Sequence, residues 1–191
     1  MIIKQFEDND IERASQLAKL TWGDFYTQES IELQRFIYNF MVQYYDLNRE
    51  YSFSIVEDEL KGFLLAFCKT DFYNLNGFEK RLKLLKDKNE QKIALDLFNY
   101  LETCGKEVKN IMTDDDIFLG LFVSIQKGCG KKLLLKLVET CKENSKNNIY
   151  LWTDTTCDYE YYKKNNFTLL KEVETFINGK FIKTLIYCKS V

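Results

Sequence analysis

The segment Ile117–Leu134, IFLGLFVSIQKGCGKKLL, brings together the residues best placed to do chemistry. An apolar run of strand character, Ile117–Val123, is followed within a few residues by Gly128-Cys129-Gly130. Leu133, Leu134, Leu137, Val138 and Cys141 then fall on one stripe at helical spacing. A strand entering a glycine turn that opens a helix has the makings of an anion site. The first backbone N–H groups of a helix lack intrahelical acceptors, and the positive end of the helix dipole points the same way. Glycine lets the backbone approach a phosphate and adopt positive φ. Lys127, Lys131 and Lys132 add positive charge. Taken alone, the turn fits a plain helix start with exposed lysines equally well. Cys129 lies inside it, where a helix N-terminus lowers a thiol pKa. The sequence has no histidine to activate it, so Cys129 reads as a small residue in a tight turn.

A second constellation lies downstream. The strand-like Ile149–Asp154 leads to a short helix that ends Tyr161-Tyr162-Lys163-Lys164-Asn165-Asn166-Phe167. The plain reading of Tyr161, Tyr162 and Phe167 is that they pack this helix against the core. Asn166 tolerates a left-handed turn. Candidates to bind a cation or pass on its proton are Asp114, Asp115, Asp116, Glu57, Glu59 and Asp154, although each also fits a solvated loop charge. Trp22, Tyr26 and Trp152 are candidates for a substrate pocket or for core.

Composition narrows the classes. Apolar residues make up 46% and charged residues 29%, with 15 Phe and 12 Tyr, enough for a sizeable core. The absence of His removes the commonest general base and metal ligand. None of the six cysteines forms a C-x-x-C pair, so no metal is expected. A net charge of −2 argues against a nucleic-acid partner. No apolar run approaches a membrane span, and the start MIIKQFEDND carries no leader signal. The expectation is a cytoplasmic protein with reduced thiols and no membrane partner.

The elements that would position these residues can be read from periodicity. Ile2–Phe6 is strand-like; Asn9 followed by Glu12 suits a capping box at the start of a helix carrying Ile11, Ala14, Leu17 and Ala18. A second helix is expected over Ser30–Tyr45. Tyr51, Phe53 and Ile55 alternate as in a strand, Glu57–Glu59 turns, and Gly62–Cys68 is a more central strand. Phe78–Thr103 is helix-favouring, with Gly105 as its C-cap and its charge run as a solvated face. The helix after Gly130 gives way to a polar loop at 144–148. Final strands are expected at Phe167–Phe176 and Phe181–Cys188, joined by an Asn178-Gly179 turn. One domain over residues 1–191 follows, a mixed α/β layout with a single sheet.

The order and spacing of these motifs resemble the GNAT superfamily of acetyl-coenzyme A-dependent N-acetyltransferases over most of the chain. The family writes its pyrophosphate loop Q/R-x-x-G-x-G/A, matched at Gly128 and Gly130; Gln126 stands one place after the family's Gln/Arg, at which this chain has Ile125. The family's FYEKxGF is matched by Tyr161–Phe167 with Asn166 for Gly. The resemblance implies a three-layer α/β/α fold with a helical insertion at about 72–112 before the fourth strand. It implies an acetyl-coenzyme A site formed by Gln126, Lys127, Gly128, Cys129, Gly130, Lys131 and Lys132, with the backbone of Leu121, Phe122 and Val123 pairing with the pantetheine arm. It implies Tyr162 near the thioester sulfur as general acid, a primary amine as acceptor attacking directly, and a possible homodimer. A non-catalytic acyl-coenzyme A-binding module of the same fold is the alternative. A nucleotide or phosphosugar binder of another α/β fold would want G-x-G-x-x-G or G-K-[ST], which the glycine turn does not supply. A pure interaction domain would use the charged helical insertion as its partner surface.

Overall fold

Strands form where apolar runs are bounded by turns. In the computed structural model, which describes residues 1–177 and 180–191, they are β1 Ile2–Gln5, β2 Phe53–Val56, β3 Leu60–Cys68, β4 Ile117–Ser124, β5 Asn148–Asp154, β6 Thr168–Ile177 and β7 Lys180–Ser190. They build one sheet in the order β1-β2-β3-β4-β5-β7-β6. Neighbours are antiparallel except β4 and β5, which are parallel. The parallel pairing covers Ile117↔Ile149 and Phe118↔Tyr150. Both strands continue beyond it, to Ser124 and Asp154, without pairing to each other. They therefore part towards their C-terminal ends.

Helices cover both faces. The helices are α1 Ile11–Trp22, α2 Ile31–Tyr45, α3 Leu75–Leu82, α4 Lys88–Lys109, α5 Cys129–Glu143 and α6 Glu160–Lys164. The α1, α2, α3 and α4 layer packs on one side, where Leu17, Ile37, Phe40, Tyr45 and Leu101 meet Phe63, Phe67 and Phe118. On the other side Leu133, Leu137 and Cys141 of α5 meet Ile55, Leu64, Leu119 and Leu151, with the α6 tyrosines beside them. The result is the expected α/β/α layering. No helix among the described residues is long and apolar enough to cross a membrane.

Several local expectations are corrected. The capping box is formed by Glu7 and Asp10 around a short turn at Asp8–Asp10, not by Asn9 and Glu12. Asp10 is buried, and its carboxylate also accepts from Ser54, which fixes it there. Tyr51 belongs to a turn at Arg49–Tyr51, and the strand starts at Phe53. The 78–103 helix is two helices, parted where Asp87 caps α4 by accepting from Asn89 and Glu90. Gly105 does not end α4; it is buried within it, against Phe118 and Tyr44. Packing there overrides the glycine's stop signal. The Asn178-Gly179 turn lies outside the described residues.

The register between β3 and β4 shifts between Leu65↔Leu121 and Ala66↔Leu119, leaving Gly120 as an extra residue in β4. A Cβ there would lie 2.3 Å from Tyr45 Cδ1 and 2.8 Å from Phe67 Cε1. Glycine is required because the aromatic ring of Tyr45 rests on the β4 backbone. Gly120→Ala should therefore cost about 1–3 kcal/mol by overpacking and lower Tm by several degrees in thermal unfolding; an unchanged Tm would show that Tyr45 moves aside freely.

Candidate functional site

The end of β4 runs directly into the glycine turn. Ile125 N–H donates to Lys61 O at 3.0 Å, tying the loop to β3. Gly128 has φ 88°, the left-handed conformation that glycine adopts without strain, and serves as N-cap of α5. The Gln126 carbonyl accepts from Cys129 N–H, and the Gly128 carbonyl from Lys132 N–H. The backbone N–H groups of Lys127, Gly128, Gly130 and Lys131 donate to no acceptor among the described residues. Unpartnered N–H groups at the positive end of a helix dipole have the chemistry to hold an anion. Lys127, Lys131 and Lys132 are exposed beside it. Cys129 is fully buried, its Sγ 3.6 Å from Met1 Sδ, so its thiol faces the core and not the turn. The Gln126 side chain reaches Glu57 at 3.4 Å.

Beneath the turn lies a row of aromatic rings on the α5 side of the sheet. Phe122 of β4 meets Tyr161 at 5.7 Å between centroids, Tyr161 meets Tyr162 at 5.8 Å, and Tyr162 meets Tyr187 of β7 at 5.8 Å and Phe167 at 5.6 Å. The row spans the gap that opens between β4 and β5. Asn166 has φ 63°, as its place in the turn after α6 requires. Burial, with smaller effects from Cys157, Tyr161 and Asp158, pushes the Tyr162 phenol well above its ordinary pKa. It therefore remains a proton donor throughout the neutral range. The Tyr161 hydroxyl is buried without a hydrogen-bond partner, and lies 3.2 Å from where a Gly130 Cβ would be. Sequence reading assigned Tyr161 to packing alone. No spacing rule could have shown a free hydroxyl under the turn.

Leu121 and Val123 point into the α1/α2 side, while their backbones pair with Leu65 and Phe63 of β3. Beyond Phe118, the edge of β4 that faces β5 has no strand partner. Trp22 donates from Nε1 to Cys157 Sγ at 3.4 Å, Tyr26 stacks edge-on with Tyr38, and Trp152 meets Tyr100 at 5.2 Å. All three candidate pocket aromatics are half-buried on the α1/α2 face. Burial pushes the Tyr26 phenol up to about 12.

The acidic candidates separate by position. Asp116 is 1% exposed and accepts from Thr113 N–H, Thr113 Oγ1 and Asn148 Nδ2. Asp114, Asp115 and Asp116 precede β4, at the opposite end of the sheet from the glycine turn. Glu59 pairs with Lys61 and Arg13 in solvent, and these hold its carboxyl below the usual range. Glu57 and Glu59 lie at the β2–β3 turn beside the glycine loop. Asp154 is 9% exposed and ends β5, at the same sheet end as the turn.

No protein-family model and no curated protein sequence matches the chain significantly. Solved structures do. The C-terminal condensation domain of Ebony, in complex with beta-alanyl-dopamine, aligns at TM-score 0.67 and 11% identity over 100% of this chain and 98% of that one. An aminoglycoside 6'-N-acetyltransferase complexed with coenzyme A aligns at TM-score 0.57 and 16% identity over 100% and 97%. A Desulfovibrio desulfuricans protein assigned to the GNAT family of acetyltransferases aligns at 0.58 and 10% over 99% and 98%. The chain has the GNAT fold. In this GNAT-fold chain the unpartnered N–H groups of the turn and the open space over Gly128, where an added Cβ would meet nothing within 4 Å, fit a pyrophosphate-bearing group such as coenzyme A.

The buried phenols also set a pH limit. Burial is the leading cause that raises Tyr44, Tyr45, Tyr100 and Tyr162. Each favours folding while neutral, so this stability is complete below the unfolded tyrosine pKa of about 10 and is lost as pH rises through and beyond it. Tm should hold level from neutral pH to about 9 and fall steeply above about 10; thermal melts across that range check it, and a level Tm at strongly basic pH would contradict the burial of these hydroxyls.

Proposed function

We propose that this chain is an N-acetyltransferase of one domain over residues 1–191. It moves the acetyl group of acetyl-coenzyme A to the primary amine of a small molecule or peptide by direct attack. The observation that carries the reading is the set of unpartnered N–H groups of Lys127, Gly128, Gly130 and Lys131, in the turn that follows β4 after it leaves β5. Two fold neighbours, one in complex with coenzyme A and one in complex with beta-alanyl-dopamine, support it.

Acetyl-coenzyme A supplies the activated thioester. The turn at Gly128 and Gly130 receives the pyrophosphate, with Lys127, Lys131 and Lys132 adding charge. The free edge of β4 at Leu121, Phe122 and Val123 offers backbone groups to the pantetheine arm, as in strand addition, and one N–H of this edge polarises the thioester carbonyl. Tyr162, a neutral phenol at neutral pH, hands its proton to the departing sulfur. Holding amine and thioester side by side lowers the barrier by several kcal/mol. A second reading, acyl-coenzyme A binding without turnover, draws on the absence of any acid within IFLGLFVS of β4.

Isothermal titration with acetyl-coenzyme A should show micromolar binding that is lost in a Gly128→Glu/Gly130→Glu double variant. Tyr162→Phe should keep that binding and lower kcat by roughly 100-fold, followed as free thiol release over an amine panel. No binding by folded protein sinks the reading; binding without turnover of any amine leaves the second.

A further inference from the structure

The two faces of the sheet divide the reactants. The glycine turn opens α5, and Tyr162 lies with Tyr187 and Phe167 on the α5 side. The half-buried Trp22, Tyr26 and Trp152 lie on the α1/α2 side, together with Tyr100 of α4. An amine reaching a thioester held between β4 and β5 therefore arrives from that second side. It arrives as an ammonium ion at neutral pH, so it needs an anion to bind it and a base to free its lone pair.

The described buried carboxylates are Asp10, Asp116 and Asp154. Asp10 is paired with Lys4 at 3.1 Å. Asp116 clamps the entry of β4 to the start of β5, at the far end of the sheet. Asp154 lies at the C-terminal end, facing the α1/α2 side. Its Oδ2 accepts from Tyr100 Oη at 3.1 Å, and its Oδ1 accepts from Thr156 N–H at 2.8 Å and from Thr156 Oγ1. No Lys or Arg forms an ion pair with it among the described residues. A buried carboxylate without a cation is costly unless hydrogen bonds or a ligand compensate. Oδ2 takes one donor and has capacity for a second. The other groups around it are Cys104 of α4, with Glu107 further out, Thr184 of β7 opposite it in register, and Cys157 of the following turn. None of these supplies a positive charge.

We propose that Asp154 is the ammonium-binding group and proton acceptor of the acetyltransferase site, that Tyr100 of the helical insertion is its positioning residue, and that the acceptor is a monoamine with an aromatic or apolar body. This rests on the acetyltransferase reading. The ammonium binds at Oδ2 and gives one proton to the carboxylate, which passes it to water. The freed nitrogen lone pair forms the C–N bond as the C–S bond breaks. The sulfur takes the Tyr162 proton, and the second nitrogen proton restores the phenol. Trp22, Tyr26 and Trp152 offer ring faces and edges to the rest of the acceptor. Of the two described carboxylates buried on this face, Asp10 is paired with Lys4 and Asp154 with no cation, which suits one ammonium group. The insertion thus completes the site: without α4, Asp154 loses the donor that holds Oδ2.

The test uses the full chain, with 2-phenylethylamine as the monoamine and spermidine as the polycation, and thiol release as readout. Asp154→Asn should lower kcat/KM for 2-phenylethylamine by at least about 100-fold and leave the acetyl-coenzyme A Kd unchanged. Tyr100→Phe should keep kcat close to that of the wild type but raise the KM for 2-phenylethylamine several-fold, because Oδ2 loses the donor that orients it. An Asp154→Asn enzyme with normal kcat/KM would overturn the proposal. So would an unchanged KM in Tyr100→Phe, which decides the matter if Asp154→Asn fails to fold. Preference for spermidine, or turnover of neither amine, overturns the acceptor class. Loss of acetyl-coenzyme A binding by the wild-type protein would instead overturn the acetyltransferase reading itself.

Discussion

Parallel strands that stop pairing leave a row of backbone groups without partners, and a folded protein tolerates this only where something else can satisfy them. In this chain β4 and β5 pair at Ile117/Ile149 and Phe118/Tyr150 and then part. The candidate site is arranged around that parting. The bulge at Gly120 bends β4 just where pairing ends, and Tyr45 of α2 rests on the bare backbone there. Below the opening the strands hold the two cores apart; above it they leave a slot whose rim is the glycine turn on one strand and Asp154 on the other.

The two faces of the slot are built from different materials. On the α5 side, the ring row Phe122–Tyr161–Tyr162–Tyr187 bridges β4 to β7 and leaves a hydroxyl free beneath the turn. Apolar burial there keeps phenols protonated. On the α1/α2 side, the long helix α4 brings Tyr100 and Cys104 over β5 and packs against α2 and β4. The apolar stripe of α4, Ala94, Leu97, Leu101, Cys104 and Val108, is buried, and Glu102 and Lys109 are half-buried beside it. Such a layout makes the insertion part of the molecule's interior and not an appendage.

Much of this was legible along the chain. Strand and helix periods placed most elements within a few residues, because the side that faces the core repeats every two residues in a strand and every three to four in a helix. The turn at Gly128–Gly130 and the Tyr161–Phe167 motif were visible because their chemistry is local: a positive φ, a helix start, a ring pair. The errors were also local signals, outweighed by packing. Gly105 reads as a stop but is held inside α4 by Phe118 and Tyr44. Asn9 and Glu12 read as a box, but the buried carboxylate of Asp10 took the capping role.

By itself, then, the sequence determined most of the strands and helices, that a glycine turn opens α5, and that no histidine chemistry is in play. Tertiary structure alone decided that β4 and β5 separate, because pairing between residues as distant in sequence as Ile117 and Ile149 depends on what packs on either face. It alone sorted the acids, sending Asp114–Asp116 to the far end and Asp154 to the slot. It alone brought Tyr100 to Asp154, 54 residues away. Contacts between distant residues arise from the packing of whole elements, and no local pattern encodes them.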